Sequence, residues 1–207
     1  MVFSVIAALG NPGKEYVATR HNAGWIILDA LATKAGAEWK HESRFPAAVA
    51  KTTFGGQQVF LVKPQSFMNL SGEPLAAFLH FHRLTAADMV VLHDDIAFEP
   101  GQMRLSQGGS AAGHNGIASC IQHFGEEFLR ARLGIGPKRH PAQDLADHVL
   151  GKFPAEDLQR LHQATPDFLL GLETLLSRGL PAAQNLTNRK SPLPRPPPRF
   201  AAPTALA

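Results

Sequence analysis

Two segments near the N-terminus carry side chains that can do chemistry: Leu9-Gly10-Asn11-Pro12-Gly13 and Thr19-Arg20-His21-Asn22-Ala23-Gly24. His21 stands just ahead of an apolar stretch and is flanked by asparagine, which makes it a candidate general base in a pocket of amide donors and acceptors. A carboxylate that accepts a hydrogen bond from one imidazole nitrogen fixes the tautomer and frees the other nitrogen to take a proton. Asp94, in His93-Asp94-Asp95, is the candidate for that role. Asn11, Asn69 and Asn115 each follow a strand or open a loop, and neutral amides suit the binding of a peptide backbone or an ester carbonyl. The alternative is structural: His21 caps a helix and Asp94 begins a turn.

Other familiar sites are absent from the sequence. Gly108-Gly109-Ser110-Ala111-Ala112-Gly113 approaches a nucleophile elbow, but alanine stands at 112 where Gly-x-Ser-x-Gly needs glycine. There is no Gly-x4-Gly-Lys-Ser/Thr phosphate loop. His80 and His82 diverge by about 200° on a helix and make poor joint metal ligands, with His82 on the apolar face. The adjacent carboxylates Asp94 and Asp95 are not a coordination set on their own. The single cysteine, Cys120, lies in the apolar run Ile117–Ile121 and reads as an inert core residue. With no serine or cysteine nucleophile beside it, the natural task of a His21–Asp94 pair is to activate water.

The elements that must position these groups alternate along the chain. Val5–Leu9 reads as a buried strand and Asn22–Lys34 as a helix closed by Gly36. Ala47–Phe54 and Gln57–Lys63 read as a hairpin around Gly55-Gly56. Ser71 is a candidate cap for a helix over Pro74–Arg83. Met89–His93 is of strand length and delivers Asp94 to its carboxyl end, where open α/β sheets keep their chemistry. Gln102–Ser106 and Leu129–Ile135 are further strands, separated by a helix over Gly116–Phe124. Glu156–Ser177 is a long amphipathic helix that Pro166 should kink or divide. This order predicts a three-layer α/β sandwich, its central twisted sheet mixed but mostly parallel. Residues 1–187 read as one such domain. Residues 188–207 read as a basic, proline-rich disordered tail, with six prolines among the 17 residues from Ser191 on.

Composition narrows the class. Hydrophobic residues make up 44 % and charged residues 18 %, as in globular proteins. One cysteine allows no internal disulfide, which agrees with a reducing, cytoplasmic setting. No apolar stretch approaches the roughly 20 residues of a membrane span, and no secretory signal stands at the N-terminus. The net charge of +3 comes from the tail. Arg189, Lys190, Arg195 and Arg199 are there, and without them residues 1–185 carry a net −1. Any nucleic acid must therefore be held by a local basic patch or by the tail.

Several motifs together resemble the bacterial peptidyl-tRNA hydrolases in order and spacing. They are Gly10-Asn11-Pro12-Gly13 with Tyr16, Thr19 to Gly24, Lys63-Pro64-Gln65-Ser66-Phe67-Met68-Asn69-Leu70-Ser71-Gly72, His93-Asp94-Asp95, Gly113-His114-Asn115-Gly116 and Arg130 to Gly136. The match covers roughly residues 3 to 187. It implies a monomeric, cytoplasmic esterase with no metal or other cofactor, acting on the acceptor stem and 3′ CCA end of peptidyl-tRNA to free the tRNA. On that resemblance His21 is the general base, Asp94 orients it and Asn11 lies near the scissile carbonyl. Asn69 and Asn115 then hold the peptide main chain, Phe67 and Met68 wall the cleft, and Tyr16 stands at its mouth. The alternatives are an ordinary core methionine and an exposed structural tyrosine.

Three positions depart from the family pattern. Ser106 stands where a basic residue with Arg132 clamps the tRNA 5′-phosphate; Arg104, on the same strand face, helped by Lys138 or Arg139, is the candidate replacement. Ala112 replaces a loop glycine, and Ala97 an aspartate. A different class of function, an RNA-associated binding module, predicts no need for His21, Asp94 and three asparagines together. A protease predicts an activated serine or cysteine beside His21.

Overall fold

The structure, a computed structural model, describes residues 5–138, 140 and 142–188. The expected tail from residue 189 on, and Arg139, lie outside the described residues.

Seven strands form one sheet in the order β2-β3-β4-β1-β5-β7-β6. They are β1 Val5–Ala8, β2 Lys40–Glu42, β3 Ala47–Phe54, β4 Gln57–Pro64, β5 Met89–Asp95, β6 Met103–Gln107 and β7 Leu129–Gly134. The central pairs β4–β1, β1–β5 and β5–β7 are parallel. The outer pairs β2–β3, β3–β4 and β6–β7 are antiparallel, so the sheet is mixed with a parallel centre. Gly55 and Gly56, at φ 59° and 79°, make the tight β3–β4 turn expected of that pair.

The alternation along β1 explains the layers. Ile6 and Ala8 enter a core with α1 (Ala23–Lys34), α5 (Ala155–Arg178) and α6 (Leu180–Thr187). Val5 and Ala7, on the other sheet face, enter a second core with α2 (Gly72–His82) and α3 (Asn115–Phe124). A central strand buried on both faces has no polar side to show, hence its unbroken apolar run. Cys120 lies in the second core, where burial pushes its thiol up to about 12; it is inert, as expected.

Several local expectations are revised. Ser71 is no side-chain cap: at φ −65° and ψ −26° it is already helical, because a 3-10 turn over Met68–Leu70 runs straight into α2. Helix α1 starts at Ala23, after a 3-10 turn over Arg20–Asn22. Pro166 does not divide α5, which is one helix through it. The proline is exposed, where water can serve the carbonyl it leaves unbonded. Strand β2 and helices α4 (Leu145–Leu150) and α6 are additions; β2 is three residues long, polar and without apolar alternation. Among the described residues no helix is long and apolar enough to cross a membrane.

Candidate active site

Because β4, β1, β5 and β7 run parallel, their carboxyl ends share one rim, and the chain switches direction across the sheet at β1. The loop after β1 brings Asn11 to that rim, the loop after β4 brings Phe67, Met68 and Asn69, and β5 brings Asp94. Strand β6 is antiparallel, so it ends at the opposite edge. Residues 108–113 cross back over the sheet, held by Arg130, which donates to the carbonyls of Gly109 and Ser110. Only this crossing places His114 and Asn115 at the rim. Ala112 sits in it at φ 48°, a left-handed conformation that glycine would adopt without strain.

The 3-10 turn bearing His21 is drawn close by Gly24. A Cβ there would stand 2.8 Å from the Leu92 carbonyl oxygen and 2.9 Å from that of Leu9, so only glycine lets the start of α1 rest on β1 and β5. His21 Nδ1 thereby reaches Asp94 Oδ1 at 2.9 Å, with both residues buried. The same oxygen lies 2.9 Å from His114 Nε2.

The hydrogen bonds assign the protons. His114 Nδ1 accepts from the backbone N–H groups of Gly116 and Ile117, at 3.1 and 3.2 Å, so its own proton is on Nε2 and is donated to Asp94. An ionised Asp94 only accepts, so His21 Nδ1 also donates, and His21 Nε2 is left as a free lone pair on a ring that lines the cavity. Burial alone would raise the Asp94 carboxyl, but the adjacent imidazoles of His21 and His114 and their hydrogen bonds outweigh it. They hold it well below the usual carboxylate range. His93 donates Nδ1–H to the Asp94 carbonyl oxygen at 2.8 Å and is pushed down to about 3, chiefly by burial, so it stays neutral.

By residue type and spacing His21, Asp94 and His114 could hold a metal ion, since their ligand atoms lie within 4.8 Å of one another. A metal on His114 Nε2 would force the ring proton onto Nδ1, where two backbone N–H groups already point. The donor set therefore fits a hydrogen-bonded triad better than a metal centre.

These groups open into a cavity of about 850 Å³. Asn11, Tyr16, His21, Phe67, Met68, Asn69, Asp94, Asn115 and Arg132 all line it, as does Ser106. Arg104 does not. It stands directly opposite Arg132 in the β6–β7 register, and both guanidinium groups lie over Phe98, at 4.6 and 4.9 Å from the ring centre. Arg132 donates Nε–H to Asp95 at 2.7 Å, which leaves its terminal nitrogens for a ligand. Asp95 also accepts from the Ala97 N–H at 2.8 Å. Lys138 donates to the Gln143 carbonyl.

Sequence reasoning missed His114, although it follows the glycine-rich stretch directly. It also missed the apolar lining that Leu145, Val149 and Leu150 of α4 supply to the cavity. The signal for α4 was Asp144, whose carboxylate caps the helix through the N–H groups of Ala146 and Asp147.

Fold and site together define an α/β enzyme built on a buried imidazole–carboxylate pair at the rim of a mixed sheet. The peptidyl-tRNA hydrolase family model matches residues 5–194. A peptidyl-tRNA hydrolase from Lachnospira eligens is 42 % identical over 186 residues, covering 89 % of this chain and 98 % of its own. One from Gloeobacter violaceus is 39 % identical over 192 residues, covering 92 % and 96 %. The crystal structure of peptidyl-tRNA hydrolase from Acinetobacter baumannii superposes with a TM-score of 0.85 at 34 % identity, covering 90 % of this chain and 94 % of that one. The chain belongs to the peptidyl-tRNA hydrolase family.

Proposed function

We propose that this member of the family cleaves the ester between a peptide's terminal carboxyl and the ribose of the terminal adenosine of tRNA, with water activated by His21 and no metal ion. His21 Nε2 takes a proton from water as the oxygen attacks the carbonyl carbon. The charge that develops on the carbonyl oxygen is met by the side-chain amide of Asn11. When the intermediate collapses, the ester bond breaks and the ribose oxygen leaves with the proton from His21, so the imidazole is restored. Asp94 keeps Nδ1 protonated and stabilises the imidazolium between the two steps.

Asn69 and Asn115 hold the peptide main chain, and Tyr16, Phe67 and Met68 enclose it. Arg132 holds a phosphate of the acceptor stem, and Arg104 beside it adds positive charge where Ser106 supplies none. On this reading the reaction needs no group from a second chain, which supports a monomer, and the single cysteine supports a reducing, cytoplasmic setting. Residues 1–187 form the catalytic domain on this reading.

One observation carries the proposal: His21 Nδ1 is committed to Asp94 at 2.9 Å while Nε2 remains unengaged in a cavity lined by three asparagines. The test is hydrolysis of an N-blocked aminoacyl-tRNA by the wild type and by His21→Ala. General-base assistance is worth roughly 10²–10⁴ in rate, and a loss of that order is expected. Equal rates would reject the mechanism.

A further inference from the structure

Asn22 has no part in the chemistry above, yet it is 1 % exposed and its side-chain amide is spent on one other residue. Its Oδ1 accepts the backbone N–H of Asn11 at 2.8 Å, and its Nδ2 donates to the Asn11 carbonyl oxygen at 3.0 Å. Strand β1 ends at Ala8, so Asn11 has no ladder partner for either group. Buried backbone groups of this kind need partners, and one amide supplies both.

The remaining polar atoms of Asn11 are then accounted for. Its Oδ1 accepts the Met68 N–H at 2.7 Å, which fixes the plane of the amide. What is left is Nδ2, a donor on a residue that lines the cavity. The backbone just before it is pinned as well: Trp25 donates to the Ala8 carbonyl at 3.0 Å, and its ring lies 2.7 Å from where a Cβ on Gly10 would be. Asn22 is also the immediate neighbour of His21 in the 3-10 turn Arg20–Asn22. A three-residue turn thus carries both the imidazole and the amide that sets Asn11.

We propose that Asn22 is a positioning residue, which holds the Asn11 amide donor in register with the His21 imidazole. This rests on the reading of Asn11 as the donor to the carbonyl oxygen. A base and an oxyanion donor must meet the same reacting carbonyl from two directions, so a fixed separation matters more than the strength of either contact. Asn22 sets that separation through two bonds without touching the substrate.

The test is a double-mutant cycle of Asn11→Ala and Asn22→Asp, read as single-turnover rate and KM on an N-blocked aminoacyl-tRNA. Aspartate at 22 keeps the acceptor for the Asn11 N–H but sets an oxygen against the Asn11 carbonyl. The rate should fall on the order of 10- to 100-fold with KM within about threefold, because a misplacement near 1 Å can cost about 10². In the Asn11→Ala background the same substitution should cost nothing further, since the group it positions is gone. Deficits that multiply in the double variant mark a merely structural role and overturn the proposal, as does a normal rate for Asn22→Asp. If Asn11→Ala alone is fully active, the Asn11 reading falls first and the inference with it. Asn22→Ser, whose shorter side chain reaches neither the Asn11 N–H nor its carbonyl, repeats the cycle should Asn22→Asp not fold.

Discussion

Asparagine at position 94 would keep the shape of the side chain and remove only its charge. Its Oδ1 can still accept from His21 Nδ1 and His114 Nε2, each now 2.9 Å away, so both rings can stay in place. What is lost is the attraction between the carboxylate and the cation that His21 becomes when it takes the proton of water. Unit charges about 4 Å apart attract by about 4 kcal/mol at an effective dielectric near 20. A proton half transferred in the transition state would realise about 2 kcal/mol of that. These bounds correspond to a fall in rate between about 30-fold and about 1,000-fold for Asp94→Asn. KM should change by less than about threefold, because the Asp94 side chain is 2 % exposed and offers substrate almost no surface. The assay is single-turnover release of the blocked amino acid from tRNA, with folding verified by circular dichroism. A folded variant within threefold of the wild-type rate would show that the carboxylate charge does not support the base.

His93 supplies a test of stability. Burial holds it neutral in the folded protein down to about 3, whereas in the unfolded chain it charges near the ordinary 6.5. The unfolded state therefore binds one more proton between those limits, and stability, complete above about pH 6.5, is lost as pH falls toward 3. Between pH 4 and 5.5 the unfolding free energy of the wild type should fall more steeply than that of His93→Phe, by about 1.4 kcal/mol per pH unit, in urea titrations. Equal slopes would mean that the ring is accessible to protons. For Arg132→Ala, KM should rise more than kcat falls, and the slope of log affinity against log salt should shrink by about 0.7–0.9; a change confined to kcat would remove the guanidinium from phosphate binding.

Much of this architecture is legible from local pattern. Apolar runs such as Val5–Leu9 announce strands buried on both faces, and Gly55-Gly56 announces its turn, because burial and backbone sterics act over a few residues. The residues of the candidate site are legible too, since His21, Asp94 and the three asparagines that line the cavity sit at element ends, where a sheet of this kind exposes side chains. Helix α4 and strand β2 were not, being short and marked by little apolar periodicity. Ser71 misled because a cap residue and the joint between a 3-10 turn and a helix look alike in sequence.

By itself the sequence determined the layers, the His21, Asp94 and asparagine side chains of the cavity and the family pattern, including a serine at 106. Only the tertiary structure decided that Asp94 serves two imidazoles rather than one, and that Arg104 stands outside the cavity. It also decided that Asn22 spends its amide on Asn11. Each of these depends on groups 11 to 73 residues apart meeting within hydrogen-bond range or across a strand pair. Such meetings are set by how strands pair and how closely Gly24 lets a helix approach them, which no local pattern encodes.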